Sequence, residues 1–346
     1  MWFKKRIFAD YAGSRDNPSS IYKEGVEAKR KLEDARTRIA RVLGVQARDI
    51  IFTSGGTESD NLAVLGSFAP GAHIVISDLE HPAIREAAKE FERRGGDVSV
   101  VQSENGVVHA DKVAQALRPN TVLVSIMYAN NETGAIQPIS KIAKLVNAER
   151  KRRGGAYPYM HTDASQAINF LPLRVSALGV TLMTLDASKA EGPKSIGLLV
   201  VRPGANLHPI MFGGGQERGL RPGTENVSAA VEFANALERA EECRESESAR
   251  LAKLKHKFVT QLKSELPNLV INTPDESLPH IVSVTFPGQL HEFIAIKLDE
   301  AGIAVSTGSS CSTRANEADK EAIRFSFGHD TREHDIEEII RVLKKM

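Results

Sequence analysis

The sequence predicts an α/β protein: a large domain on a mostly parallel sheet, followed by a small α+β domain. Three observations carry that reading. Over the first two-thirds of the chain, short apolar runs alternate with amphipathic helical stretches, the rhythm of strands joined by crossover helices. Residues 226–266 then form a long charged stretch of helical character with no cap signal in its middle. The remainder reads as strand, helix, two strands and helix. The length of 346 residues also exceeds what one ordinary core organises. The expected division is a large domain over 12–245 and a small one over 246–346, with 1–11 packing near the small domain.

Taken in order, Val26, Leu32, Ala35, Ile39 and Val42 fall near one helical face, and Gly44 can end that helix. Strands are expected at 49–53, 73–77, 97–102, 121–127, 159–163, 181–185 and 197–202. Helices at 83–94, 110–117 and 139–153 lie between them. After the long helix come strand 281–286, helix 292–301, strands 304–307 and 322–327, and helix 331–345. In such sheets chemistry gathers in the loops beyond the carboxyl ends of the strands.

Composition narrows the function. Hydrophobic residues at 41% and charged residues at 26% describe a folded globular protein. Forty-five Lys and Arg against 44 Asp and Glu leave +1, which removes the electrostatic case for a nucleic-acid or membrane-surface binder. No apolar run is long enough for a bilayer, and the first residues lack a signal-peptide core. Two cysteines exclude a disulfide framework and point to a reducing compartment, by expectation the cytoplasm. No metal site is expected.

Several motifs carry chemistry. The small residues of Ser54-Gly55-Gly56-Thr57, between a strand and the helix near Glu58, let backbone N–H groups approach an anion; the same residues also make a plain turn. Asp163, in Thr162-Asp-Ala-Ser-Gln166, is either a helix cap or the partner of the protonated ring nitrogen of pyridoxal phosphate. Lys189 ends the next strand, an address that suits a Schiff-base lysine as well as a solvated one. The Gly- and Arg-rich segment 212–224 reads as a flexible loop, or as one held against an anion or a neighbouring subunit. His81, after the second strand, could stack on a planar cofactor and move protons, or simply be solvated. Arg324, one charge in an apolar strand, is an ion-pair member or a carboxylate clamp. Cys311 lies in a Ser- and Gly-rich loop, where a thiol is reactive. Cys243 sits among Glu241, Glu242 and Glu245, which disfavour a thiolate, and reads as incidental.

Together these pieces resemble the cysteine desulfurases, pyridoxal-phosphate enzymes of the aspartate-aminotransferase fold in the class V group. The resemblance runs in family order through Asn17-Pro-Ser-Ser20, Thr53 to Asn61, Glu80-His81, Asn130 to Gly134, His161 to Gln166, Lys189 with Gly192-Pro-Lys194, Gly213 to Arg218, Arg221 to Asn226, Ser306 to Cys311, and Ile323 to Ser326. It implies that Lys189 holds the cofactor, that Asp163 pairs with its ring nitrogen, and that Gln166 and Asn131 bond its hydroxyl or the substrate. By the same resemblance His81 stacks on the ring, and Gly56, Thr57 and Ser188 serve the phosphate, with Thr224 reaching in from the second subunit of a homodimer. Arg324 holds the carboxylate of L-cysteine, and Cys311 takes the sulfur as a persulfide, leaving alanine. The sulfur then goes to iron–sulfur clusters, thio-cofactors or tRNA through an acceptor or scaffold protein.

Three departures stand out. The family's Ser-x-His-Lys block is here Asp186-Ala-Ser-Lys189, which puts a carboxylate where a phosphate-binding serine is expected. Glu191 replaces a usual aromatic residue, and the segment from Cys311 to Arg324 is short for the housekeeping type. Two rivals share these residues. One is another pyridoxal-phosphate lyase or aminotransferase, acting on selenocysteine or cysteine sulfinate; the other is a degenerate partner-binding homologue.

Overall fold

The computed structural model describes residues 7–308 and 322–346, so Cys311 lies outside the described residues. Helix α1 (Lys23–Leu43) buries Ala28, Leu32, Ala35, Ile39 and Leu43 and stops where Gly44 takes φ 66° and donates to the Ala40 and Arg41 carbonyls. Glycine adopts that left-handed geometry without the Cβ penalty of other residues. Val26, expected on the buried face, is exposed, because it projects away from the row set by Leu32 and Ile39.

Strands β1 (Ile50–Thr53), β2 (His73–Ser77), β3 (Asp97–Val101), β4 (Thr121–Ser125), β5 (Tyr159–Asp163), β6 (Leu182–Asp186) and β7 (Gly197–Val201) form one sheet in the order β1-β7-β6-β5-β4-β2-β3. Helices α2 (Gly56–Leu65), α3 (Pro82–Arg93), α4 (Ala110–Ala116), α5 (Ile139–Arg152) and the short α6 (Val175–Leu178) alternate with them. β7 is antiparallel to both neighbours; the other pairings are parallel. The link from β6 to β7 is too short for a crossover helix, so the chain turns back on itself. Alternate residues of each strand enter different cores. Phe52, Val75, Val124, Met160 and Val200 face one layer; Ile51, Ile74, Leu123, Tyr159 and Leu199 face the other. Burial on both faces is why these strands read as nearly unbroken apolar runs.

Helix α7 (Val227–Glu265) spans two cores. Its first half buries Ala230, Phe233 and Leu237 against the large sheet; its second half buries Leu251, Leu254, Phe258 and Leu262 in a separate core. That second core is closed by strands β8 (Val270–Ile271), β9 (Ile281–Thr285) and β10 (Ala322–Ser326), with helices α8 (His291–Glu300) and α9 (Glu333–Leu343). The strand order is β10-β9-β8, antiparallel throughout. Two elements of this second core differ from the sequence reading. β8, only two residues long, is absent from it. The strand expected at 304–307 is a single bridge between Ser306 and Arg324, because the Ile303 N–H is tied back to the Leu298 carbonyl and little extended chain remains before the bridge.

Candidate active site

The loops at the carboxyl ends of β1, β2, β4, β5 and β6 converge on one edge of the large sheet, and the small sheet closes over them. Between lies a cleft of about 640 Å³ lined by Asn131, Gln166, Ser188, Lys189 and Arg324. Strands β9 and β10 contribute Ile281 and Arg324 to its wall, and α7 contributes Ala240 and Cys243. Cys243, incidental by sequence, thus faces the same cleft as Lys189: its neighbours in sequence say nothing of which way α7 turns it.

At the end of β1 the chain passes through Gly55, φ 152°, into α2. Only glycine is comfortable at that angle. Gly197 packs on the same turn: a Cβ there would come within 2.6 Å of the Gly55 carbonyl carbon. The N-terminus of α2 is therefore pressed against β7. The Gly56 N–H, the first of α2, donates to Asp186 Oδ2 at 2.8 Å. Asp186 Oδ1 accepts from the Ser188 N–H at 2.9 Å and from Ser188 Oγ at 2.7 Å. Thr57 is exposed in the first turn of α2.

His81 is the cap of α3: its Nδ1 accepts from the Ala83 N–H at 3.2 Å, and Pro82 starts the helix. With Nδ1 accepting, the neutral ring carries its proton on Nε2. Burial lowers the His81 pKa, while Asp163 is near enough to pull it the other way. Asp163 ends β5 and accepts from the Ser165 N–H at 2.9 Å. Burial raises its pKa, against that hydrogen bond and the nearby His81. Arg324 donates to the Asn131 carbonyl at 2.9 Å and to Glu132 Oε1 at 3.4 Å; Asn131 Nδ2 also donates to Glu132, at 2.7 Å. The guanidinium is thus aimed by the loop after β4.

Thr224, placed at the site by the resemblance, is exposed and does not line this cleft. Its loop is anchored from below instead. Glu217 takes a bidentate pair of hydrogen bonds from Arg36, at 2.8 and 2.6 Å, and a third from the Phe52 N–H at 2.8 Å.

Sequence reasoning gave no role to a buried set beneath the site. Glu80 and Asp60 are both 1% exposed, and Glu80 Oε2 and Asp60 Oδ1 have no hydrogen-bond partner. Burial pushes the Glu80 carboxyl up to about 8 and holds Asp60 well above the usual range, with Asp163 adding to both. His161 lies 3.8 Å from Asp60, but burial takes its pKa down to about 3, so the contact is not an ion pair at ordinary pH. Its ring nitrogens are held by Ser125 and Thr184. The signal was in the sequence, since Glu80 precedes His81 and Asp60 follows the glycine turn. Only the fold puts them together.

The pyridoxal phosphate implied by the resemblance fits the ring end of this site. Asp163 offers a half-buried carboxylate for a protonated ring nitrogen, and Lys189 an amine on the cleft wall. Gly56 and Ser188 supply donors of the kind a phosphate takes, though Asp186 already engages them.

Known proteins with this sequence pattern and fold agree. The aminotransferase class-V family matches residues 5–339. A putative cysteine desulfurase, IscS 1 of Bacillus subtilis, is 36% identical, covering 94% of this chain and 89% of the relative. A solved NifS-like protein superposes with a TM-score of 0.88 at 33% identity, over 95% of this chain and 90% of that one. SspA, solved in complex with cysteine, gives 0.76 at 29% identity over 90% of each chain. The chain belongs to the aminotransferase class-V family and, within it, to the cysteine desulfurases.

Proposed function

We propose that the cleft around Lys189 takes L-cysteine and passes its sulfur to Cys311, releasing alanine. The observation that carries this is the sharing of one cleft by Lys189 and Arg324, with Asp163 and Lys189 both close enough to His81 to act on its charge. The relative solved with cysteine supports the substrate.

When bound, the cofactor supplies a cationic ring that stabilises negative charge at the substrate's Cα, next to the carbon that loses sulfur. The protein's residues do the rest. Asp163 would hold the protonated ring nitrogen, and Lys189 would hold the aldehyde end of the cofactor and move the substrate's Cα proton. Gln166 and Asn131 would orient the ring and the substrate, and His81 would cover the ring. Arg324 holds the substrate carboxylate in a charge-assisted pair. The Cys311 thiolate attacks the substrate sulfur; the S–S bond forms as the C–S bond breaks, its electrons stay on the substrate carbon, and a proton completes alanine.

Mass spectrometry after incubation with cysteine tests the assignment. One added sulfur on Cys311, lost in Cys311→Ser but kept in Cys243→Ser, is the expected result. Sulfur on Cys243, or full sulfide release by Cys311→Ser, overturns it.

The working form is a homodimer in which Thr224 completes the neighbour's site. Ile21 just before α1, Val26 on it, and Phe212 at the start of the Gly-rich segment are exposed apolar side chains, the kind of surface a second copy covers. No helix among the described residues is long and apolar enough to cross a membrane. The reading places the enzyme in the cytoplasm, handing sulfur to an acceptor or an iron–sulfur scaffold protein.

A further inference from the structure

We propose that the Asp186 carboxylate is a built-in occupant of the phosphate end of the cofactor site, and that it keeps the phosphate of pyridoxal phosphate from adding to its affinity for this chain. The inference rests on reading Lys189 as the cofactor lysine. Three donors face one point. The Gly56 N–H is among those that a helix leaves unpaired at its N-terminus, where a negative charge is favoured. The Ser188 N–H and Oγ lie on the turn that carries Lys189. All three are spent on Asp186, at 2.7 to 2.9 Å.

The space is filled as well as the hydrogen bonds. Glycines at 55 and 56 open room for an anion, and a Cβ at either would sit 3.3 Å from Asp186 Oδ2. The carboxylate therefore stands in the hollow that the small residues create. Its backbone cannot retreat. Asp186 is the last residue of β6, in register with Gly197, and a Cβ on Gly197 would lie 2.8 Å from the Leu185 carbonyl oxygen and closer still to Gly55. Asp186 can leave only by rotating its side chain, which breaks all three bonds. A phosphate group arriving at α2 meets a like charge if the carboxylate stays, and must replace its hydrogen bonds if it leaves. Either way the phosphate adds little to retention, and contacts at the ring end carry the cofactor.

The test compares two aldehydes and one anion on the purified apoprotein. Pyridoxal phosphate and pyridoxal are titrated by the visible band that forms with Lys189; inorganic phosphate is followed by its effect on melting temperature. The wild type should bind the two aldehydes with similar affinity. Asp186→Ser should tighten pyridoxal phosphate about tenfold or more and leave pyridoxal within about twofold. Inorganic phosphate should raise the melting temperature of this variant more than that of the wild type. Asp186→Asn keeps one acceptor oxygen, enough for Gly56 or for Ser188, while removing the charge, and should shift the same ratio in the same direction even if the serine variant folds poorly. An unchanged or lower preference for the phosphorylated aldehyde in both variants overturns the proposal. If no visible band forms in any of these proteins, the Lys189 reading fails, and the inorganic-phosphate arm alone decides the role of Asp186.

Discussion

Glu80 occupies the position before His81, and its environment makes it a proton carrier of the folded state. Oε1 accepts from Ser77 and from the Met127 N–H, Oε2 has no partner, and burial raises the pKa from 4.5 to about 8. A carboxyl whose native pKa is raised stays protonated in the folded chain where the unfolded chain ionises. Its effect on stability is therefore nil below pH 4.5, becomes increasingly unfavourable as pH rises through this window, and levels off above about 8. Glu80→Gln keeps the acceptor oxygen and removes the titration. Denaturant unfolding between pH 5 and 8 should show the wild type losing on the order of a few kcal/mol relative to the variant. Parallel slopes would mean that Glu80 does not titrate in this way. Arg324 makes a second prediction at this scale. Loss of a charge-assisted pair weakens binding by about 1.5–3 kcal/mol, so Arg324→Gln should raise KM for cysteine by roughly ten- to a hundredfold. An unchanged KM would remove the carboxylate from this position.

The elements bring these residues together through contacts distant in sequence. The buried Arg36–Glu217 pair ties α1 to the Gly-rich loop and, through the Phe52 N–H, to β1. Removing one partner leaves an uncompensated buried charge, so Glu217→Ala should cost about 3–5 kcal/mol in denaturant unfolding. A cost within about 0.5 kcal/mol, the range of ordinary surface substitutions, would show that the loop is held elsewhere. Strands β1, β2 and β4 to β7 were legible because both faces are covered, the exposed edge strand β3 from its run of valines, and α1 and α7 from their periodicity and caps. The reversed direction of β7 was not, because it depends on the short link from β6 and not on the strand's own residues. Asp186 was visible as a departure from the family pattern, yet its partner Gly56 is 130 residues away, and sequence spacing cannot report that bond. The position of Cys243 on the cleft was hidden for a related reason. The carboxylates beside it were plain, but the direction in which α7 presents it follows from packing on two cores.

At the scale of the whole molecule, α7 joins two cores, and the cleft lies where their sheets face each other. The exposed apolar side chains at α1 and at the start of the Gly-rich segment lie outside both cores. Phe212, 85% exposed, is the most direct probe of the dimer. If the proposed homodimer completes each site with the neighbour's Thr224, Phe212→Glu should shift the protein from dimer to monomer by light scattering and lower activity with it. A wild type that is monomeric and fully active would end that part of the account. The central claim is that Lys189 makes this cleft a cysteine-desulfurising site. Its most direct test is a single-turnover reaction of the cofactor-loaded protein with L-cysteine, reading alanine formed against the visible band. The wild type should show the band and yield alanine, and Lys189→Ala should show neither. Alanine formed by Lys189→Ala at the wild-type rate would contradict the account.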